Sequence, residues 1–390
     1  MEADDHGDRV RRMIKEGRVM PALLLLVPLT LIAAAIGWPS WLQFVLAVGS
    51  IIPLASFIGS STEALADRLG GKIGGLLNAT FGNTPDILVG VFGVQKGLIP
   101  LVKATLVGAL ISNSALIMGL CYLIAGLTYG RPTFRKDEAG HHSVLMMLVL
   151  AAILFPSVGA LSGSHVASDT TQHISSAISV VLLLSYLAYV AYGIFGWERL
   201  RGGKPKTAKS PAPKHAPADG AWPVWLSVGV LVGATVGLIP ITDILTGNVE
   251  PVGQALGWTD VFVGMVIVAN AGNVAEAYAA LKLARQRAGT PTEEGGESGL
   301  DLALGIASAS SVQIATFVAP IIVLYSLFTS HSMNLVFSPV ELSILALLVI
   351  LFTHIAHDGE SNWLEGAQLL ALYAMAAILF FALPISSFGS

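Results

Sequence analysis

The chain has 390 residues, of which 54% are hydrophobic and only 12% charged, and its formal net charge is -4. So apolar a composition excludes an ordinary soluble domain, and the lack of a basic excess excludes a nucleic-acid partner. The single cysteine, Cys121, has no partner for an intrachain disulfide.

A hydrocarbon core about 30 Å thick is crossed by roughly 20 helical residues. On that measure the chain carries about eleven apolar spans, near 20–37, 41–66, 74–95, 99–128, 143–161, 173–196, 222–243, 258–281, 300–328, 337–356 and 363–384. The expected fold class is therefore an all-α polytopic membrane protein, with room for a further turn of helix between 243 and 260. The first span follows the basic segment RVRRMIKEGR, as a secretory leader would. Trp38, Pro39 and the second span follow at once, so it reads as a resident helix.

Lys and Arg accumulate in the short loops on the cytoplasmic side of a membrane. With the N-terminus inside, all of the 21 basic residues except Lys96 and Lys103 fall on that side. The separation would be scrambled by one span more or fewer before the central loop, so it supports the count and puts the C-terminus outside. Arg199–Gly220, rich in Pro, Lys and Ala, has no apolar period and reads as a flexible cytoplasmic linker. The organisation expected is a cytoplasmic N-terminus with a first transmembrane helix (1–40), a five-helix repeat (41–198), the linker (199–221) and a second five-helix repeat (222–390).

The third span contains NATFGNTPDILVG, Asn78–Gly90, which sets Gly, Asn, Thr, Pro and a carboxylate in the middle of an apolar segment. The eighth contains VANAGNVAEAYAA, Val268–Ala280, where Gly272, Asn273 and Glu276 repeat the spacing of Gly82, Asn83 and Asp86. Further on, SNSALIMG aligns with QIATFVAP at a longer offset, the difference being taken up by the polar stretch RQRAGTPTEEGGES. An odd interval of spans between the two Gly-Asn motifs gives the copies opposite orientations across the bilayer. That is the inverted repeat of many secondary transporters, whose substrate sits near the midplane where helices are interrupted. Pro85 lacks an N–H and crowds the carbonyl of Phe81, so an unwound turn is expected beside Asp86; a proline bend used only for packing is the plainer alternative.

A carboxylate at midplane depth faces a cavity, pairs, or acts on ions or protons. If Asp86 and Glu276 face one another, their oxygens, those of Asn83 and Asn273, nearby carbonyls and water supply about 6 to 8 ligands, the shell of a calcium ion. Neither motif places sulfur or imidazole at this depth, which argues against zinc or copper. Two like charges held together also resist simultaneous ionisation, so a proton binds when no cation is present, and cation and proton compete for the same oxygens. A structural pair of protonated acids bridging two helices is the alternative.

At these motifs the chain resembles the cation/proton exchanger family of the calcium/cation antiporter superfamily, whose known members export calcium against protons. The segments TEALADRLGGKIGGLLNATFGN, ATLVGALISNSALIMGLCYLIAG, DLALGIASASSVQIATFVAP and DGESNWLEGAQLLALY resemble family segments in the same order. The resemblance implies eleven spans, one opening helix and two inverted five-helix repeats, with a cation site shared by the third and eighth helices. It makes Asp86 and Glu276 the cation and proton carboxylates, with Asn83 and Asn273 beside them. Ser112, Asn113 and Gln313 fall where the family places polar groups on the packed helices, although ordinary interhelical hydrogen bonding suits them equally. Glu63 matches a position linked to the cytoplasmic approach. The expectation is thus a secondary transporter and not an enzyme, without a cofactor, in the plasma (inner) membrane of a prokaryote. Its partners are calcium, protons and membrane lipids, and the opening helix, which has no counterpart in the repeat, either packs against a second copy in a homo-oligomer or simply sets the topology.

Three departures bear on the ion. The family usually has Glu where Asp86 stands, a small residue where Pro85 stands, and often His where Ala277 stands. Asp is one methylene shorter than Glu, which holds its oxygens about 1.5 Å further from the opposite helix unless the backbone compensates. Calcium remains the leading cation, with manganese or sodium as alternatives. A cation channel or an intramembrane enzyme would use the acids but not the inverted symmetry. The loop acids Glu293, Glu294 and Glu297 read as a solvated cytoplasmic loop, and His354, His357 and Asp358 as interfacial polar residues, each set having metal binding as its sharper alternative.

Overall fold

Long uncharged runs in lipid have no water to satisfy their backbone, so each closes its own hydrogen bonds as a helix. The computed structural model describes residues 20–69, 77–78, 80–161, 168–195, 222–285 and 298–382. The N-terminal basic segment, the central linker and the loop acids Glu293, Glu294 and Glu297 lie outside the described residues. The helices are α1 (Leu26–Ile36), α2 (Ser40–Leu69), α3 (Thr84–Gln95), α4 (Ile99–Tyr129), α5 (Lys136–Leu161) and α6 (Ser168–Phe195), then α7 (Val224–Leu256), α8 (Asp260–Gly272), α9 (Val274–Ala284), α10 (Gly299–Ser326), α11 (Pro339–Asp358) and α12 (Trp363–Ala382). Among the described residues the one β pairing is the isolated bridge Thr133–Glu360.

Six unbroken helices, α2, α4, α6, α7, α10 and α12, are long and apolar enough to cross a membrane, and the bent pair α8–α9 makes a seventh. Met20–Ile36, Ser143–Gly159 and Pro339–Ile355 are shorter apolar stretches, and α3 is the second part of another interrupted span. Among the described residues, each of the eleven expected segments contains helix, although 74–76 and 79 of the third lie outside them. The seventh differs most in extent: α7 runs on to Leu256 through Pro240 and Pro251. Its hydropathy falls at Asp243, but Asp243 is neutralised by Lys96 across a 2.8 Å ion pair, so the helix need not end there.

Packing pairs the two halves as a pseudo-two-fold would. α2 lies along α7 and α5 along α11, and α4 packs on α12 as α10 packs on α6. One buried cluster joins Phe44, Leu54 and Ile58 of α2 to Leu238, Ile241 and Leu245 of α7, while a larger one centres on α4 and α10. These two central helices are mostly buried, whereas α6, α7 and α12 turn large apolar side chains outward, among them Leu184, Trp225 and Ile378. Such an apolar exterior fits lipid and not water. Backbones approach closely where glycine permits: a Cβ on Gly366 of α12 would stand 2.4 Å from Leu123 N, and one on Gly108 of α4 would stand 2.5 Å from Met265 Cα of α8.

Candidate cation site

Both interrupted spans fail at the same residue of the repeat. Asn83, just before α3, has φ -93° and ψ 17°, and Asn273, between α8 and α9, has φ -95° and ψ 8°. The axis turns by 62° between α8 and α9. Gly82 donates its N–H to Asn78 O at 2.8 Å, and a Cβ there would stand 2.6 Å from that oxygen, so this turn requires glycine. Pro85 does not make the break. It lies in the first turn of α3, where a missing N–H has no helical partner to lose, and the second motif breaks with Ala275 in its place.

Each acid occupies the first turn of the helix that restarts, Asp86 in α3 and Glu276 in α9. The free N–H groups and positive dipole end of that turn favour a carboxylate. Asp86 is 5% exposed. Its Oδ1 lies 3.1 Å from where a Cβ on Gly272 would stand, so the acid of the first motif rests against the glycine of the second. Glu276 is half-buried and within Coulombic range of Asp86. Its Oε2 is sealed from the surface without a hydrogen-bond partner, as is Nδ2 of Asn273; that amide turned over would present its oxygen to the same space.

The other expected residues bond between helices in different ways. Asn83 donates from Nδ2 to Oε1 of Gln313 at 2.6 Å. Asn113 donates to Ser310 Oγ at 2.8 Å, leaving its own Oδ1 buried and unpartnered. Ser112 donates to Oδ1 of Asn270 at 2.6 Å. Ser112 and Asn113 open a π-helical turn of α4, Ser112–Ile117, and Gln313 directly precedes the π-helical turn Ile314–Val318 of α10, so the two helices widen at matching places. Glu63, expected at an approach and not at the centre, is exposed on α2, within Coulombic range of Asp67 and of Lys282 of α9.

Sequence reasoning missed Asn270, Ser310 and Tyr373. Asn270 sits inside VANAGNVAEAYAA as a polar residue in an apolar run, which is a signal in itself. Ser310 and Tyr373 are single polar residues in apolar helices, and only the packing reveals what they touch.

Among the described residues no three His, Cys, Asp or Glu side chains converge, and His354 and His357 join no such group. The groups gathered at the centre are two carboxylates and the side-chain amides of Asn83 and Asn273. Oxygen groups of that kind suit a hard cation.

The profile of the sodium/calcium exchanger protein family matches residues 39–195 and again 226–382. The chain is 34% identical over 383 residues to a Ca2+/H+ antiporter of Synechocystis, across 95% of this chain and 99% of that protein. It is 35% identical over 358 residues to the Ca2+/H+ antiporter ChaA of Bacillus subtilis, across 92% and 97%. Among solved structures, the selenium-substituted Ca2+/H+ antiporter protein YfkE is similar with a TM-score of 0.76 at 33% identity, over 94% of this chain and 100% of that one.

Proposed function

The chain belongs to the sodium/calcium exchanger protein family, and from that membership and its buried acid pair we propose that it is a secondary antiporter exporting cytoplasmic calcium in exchange for protons. Asp86 and Glu276 bind the cation and the protons competitively, and Asn83 and Asn273 complete the set with oxygen ligands. The observation that carries this reading is the contact of Asp86 with Gly272, which brings the acids of two oppositely oriented motifs to one buried place. A cation entering there neutralises both carboxylates; when it leaves, protons must do so, because two like charges cannot both stay ionised in a partly dry site. Exchange results if the bundle opens to one side at a time.

The same reading divides the chain into the opening segment 1–40, repeats 41–198 and 222–390 and the linker 199–221, a division supported by the separate family matches to each half. It puts the N-terminus in the cytoplasm of a prokaryotic cell whose plasma membrane holds the protein, with lipid along the apolar exterior. The protein is a transporter and not an enzyme, and the cation is its cargo.

Everted vesicles with an acidic lumen test the proposal. Addition of calcium releases protons with the wild-type chain and not with Asp86→Asn or Glu276→Gln. A channel would pass calcium down its gradient with no proton requirement. Manganese, magnesium, sodium and potassium in the same assay separate calcium from its competitors.

A further inference from the structure

The two halves of the cation site are anchored at different places. In the first, the motif asparagine itself is tied down, Asn83 to Gln313 of α10 at 2.6 Å. In the second, the tie falls on Asn270, one turn earlier, in the last turn of α8. Its Oδ1 accepts from Ser112 of α4 at 2.6 Å. Its Nδ2 donates to Val266 O at 2.6 Å and to the Tyr373 hydroxyl of α12 at 2.7 Å. The amide cannot be turned over, because its oxygen would then face the carbonyl of Val266. Asn270 therefore joins three helices through a fixed side chain.

The motif residues C-terminal to Asn270 keep polar atoms unengaged: Asn273 Nδ2 and Glu276 Oε2 are buried and have no partner. A half-helix that ends inside the bundle needs an anchor, and here the anchor uses none of the atoms that face the site.

We propose that the Ser112–Asn270–Tyr373 chain is a positioning strut for the second half of the site, setting how tightly Asn273 and Glu276 hold the cation without touching it. The inference rests on the antiport reading but concerns other residues. Ser112 and Tyr373 both act through Asn270, from α4 and from α12. Removing either bond lets the end of α8 shift, and the affinity drops by the worth of one hydrogen bond, about 2- to 10-fold.

The test measures initial rates of calcium-driven proton release against calcium concentration in everted vesicles, corrected for protein amount. Ser112→Ala and Tyr373→Phe are expected to raise the apparent KM by about 2- to 10-fold with the maximal rate unchanged, and Ser112→Thr, which keeps the hydroxyl, to restore the wild-type value. In an Asn270→Ala background neither substitution has a further effect. The strut is overturned if Ser112→Ala and Tyr373→Phe leave the KM at the wild-type value, if they lower only the maximal rate or the protein amount, or if their effects persist without Asn270. Should the wild-type chain show no calcium-driven proton release, the antiport reading itself fails. Calcium titration of the purified protein by calorimetry then still tests the strut, through the same order of affinities among the variants.

Discussion

Asn83 on the first motif donates to Gln313 at 2.6 Å, joining residues 230 positions apart and tying the break before α3 to the π-helical region of α10. Gln313→Ala leaves the Asn83 amide buried with nothing to bond, a penalty of about 1–3 kcal/mol. The expected result is a calcium affinity lower by about tenfold, with proton release still dependent on calcium. Gln313→Glu keeps an acceptor for Asn83 and adds a charge to the site, so it is expected to retain transport. Rates measured against calcium concentration distinguish the two.

Gly272 is where the motifs touch. A methyl group there would stand 3.1 Å from Oδ1 of Asp86 and 3.7 Å from Cβ of Pro85, crowding the carboxylate without meeting rigid backbone first. Gly272→Ala is expected to fold and to weaken calcium binding at least about fivefold, the lower end of what overpacking costs. Gly59→Ala on α2, where a Cβ meets nothing within 4 Å, is the control and should bind as wild type. Calorimetric titration of both variants checks the contrast.

Much of this was legible in the sequence for a definite reason. Lipid forces helices, so hydropathy and the placement of Lys and Arg bounded the spans, and the repeated Gly-Asn-acid spacing marked both breaks. What was not legible is what depends on helix rotation. Nothing in the order of residues says that Ser112 meets Asn270, that Asn83 meets Gln313, or that Lys96 pairs with Asp243. Pro85 misled in the same way: a proline looks like the cause of a bend, yet the twin break at Asn273 forms without one.

Lys103, one of the two basic residues that the sequence reading puts on the outer side, is half-buried in α4. Its Nζ donates to Asn334 Oδ1 at 2.9 Å and Val336 O at 2.7 Å, lies 5.7 Å from the Phe337 ring centre, and is within Coulombic range of the buried Glu341. The segment it grips is well fixed, with Met333, Leu335 and Phe337 buried and their N–H groups bonded to Ser326, Ser175 and Ser157. Lys103→Met keeps the aliphatic stem but removes the charged donor, which costs on the order of 2 kcal/mol. A lower melting temperature in detergent is expected, with the calcium affinity of the surviving protein unchanged. A variant that melts as wild type would show that the grip is incidental.

The proposed competition between protons and cation for Asp86 and Glu276 has a sign that charge alone fixes. Protonating a carboxylate removes an anionic ligand, so lowering the pH must raise the calcium concentration needed for half-maximal exchange, while saturating calcium recovers the rate. The same linkage appears in stability, because a ligand at a hundred times its Kd stabilises the folded state by about 2.7 kcal/mol. A fixed calcium concentration is therefore expected to raise the melting temperature more at pH 8 than at pH 6. In Glu276→Gln one of the two titrating groups is gone, and both the calcium-induced shift and its pH dependence should collapse. If that variant keeps a shift with the wild-type pH dependence, the proton and the cation do not share Glu276.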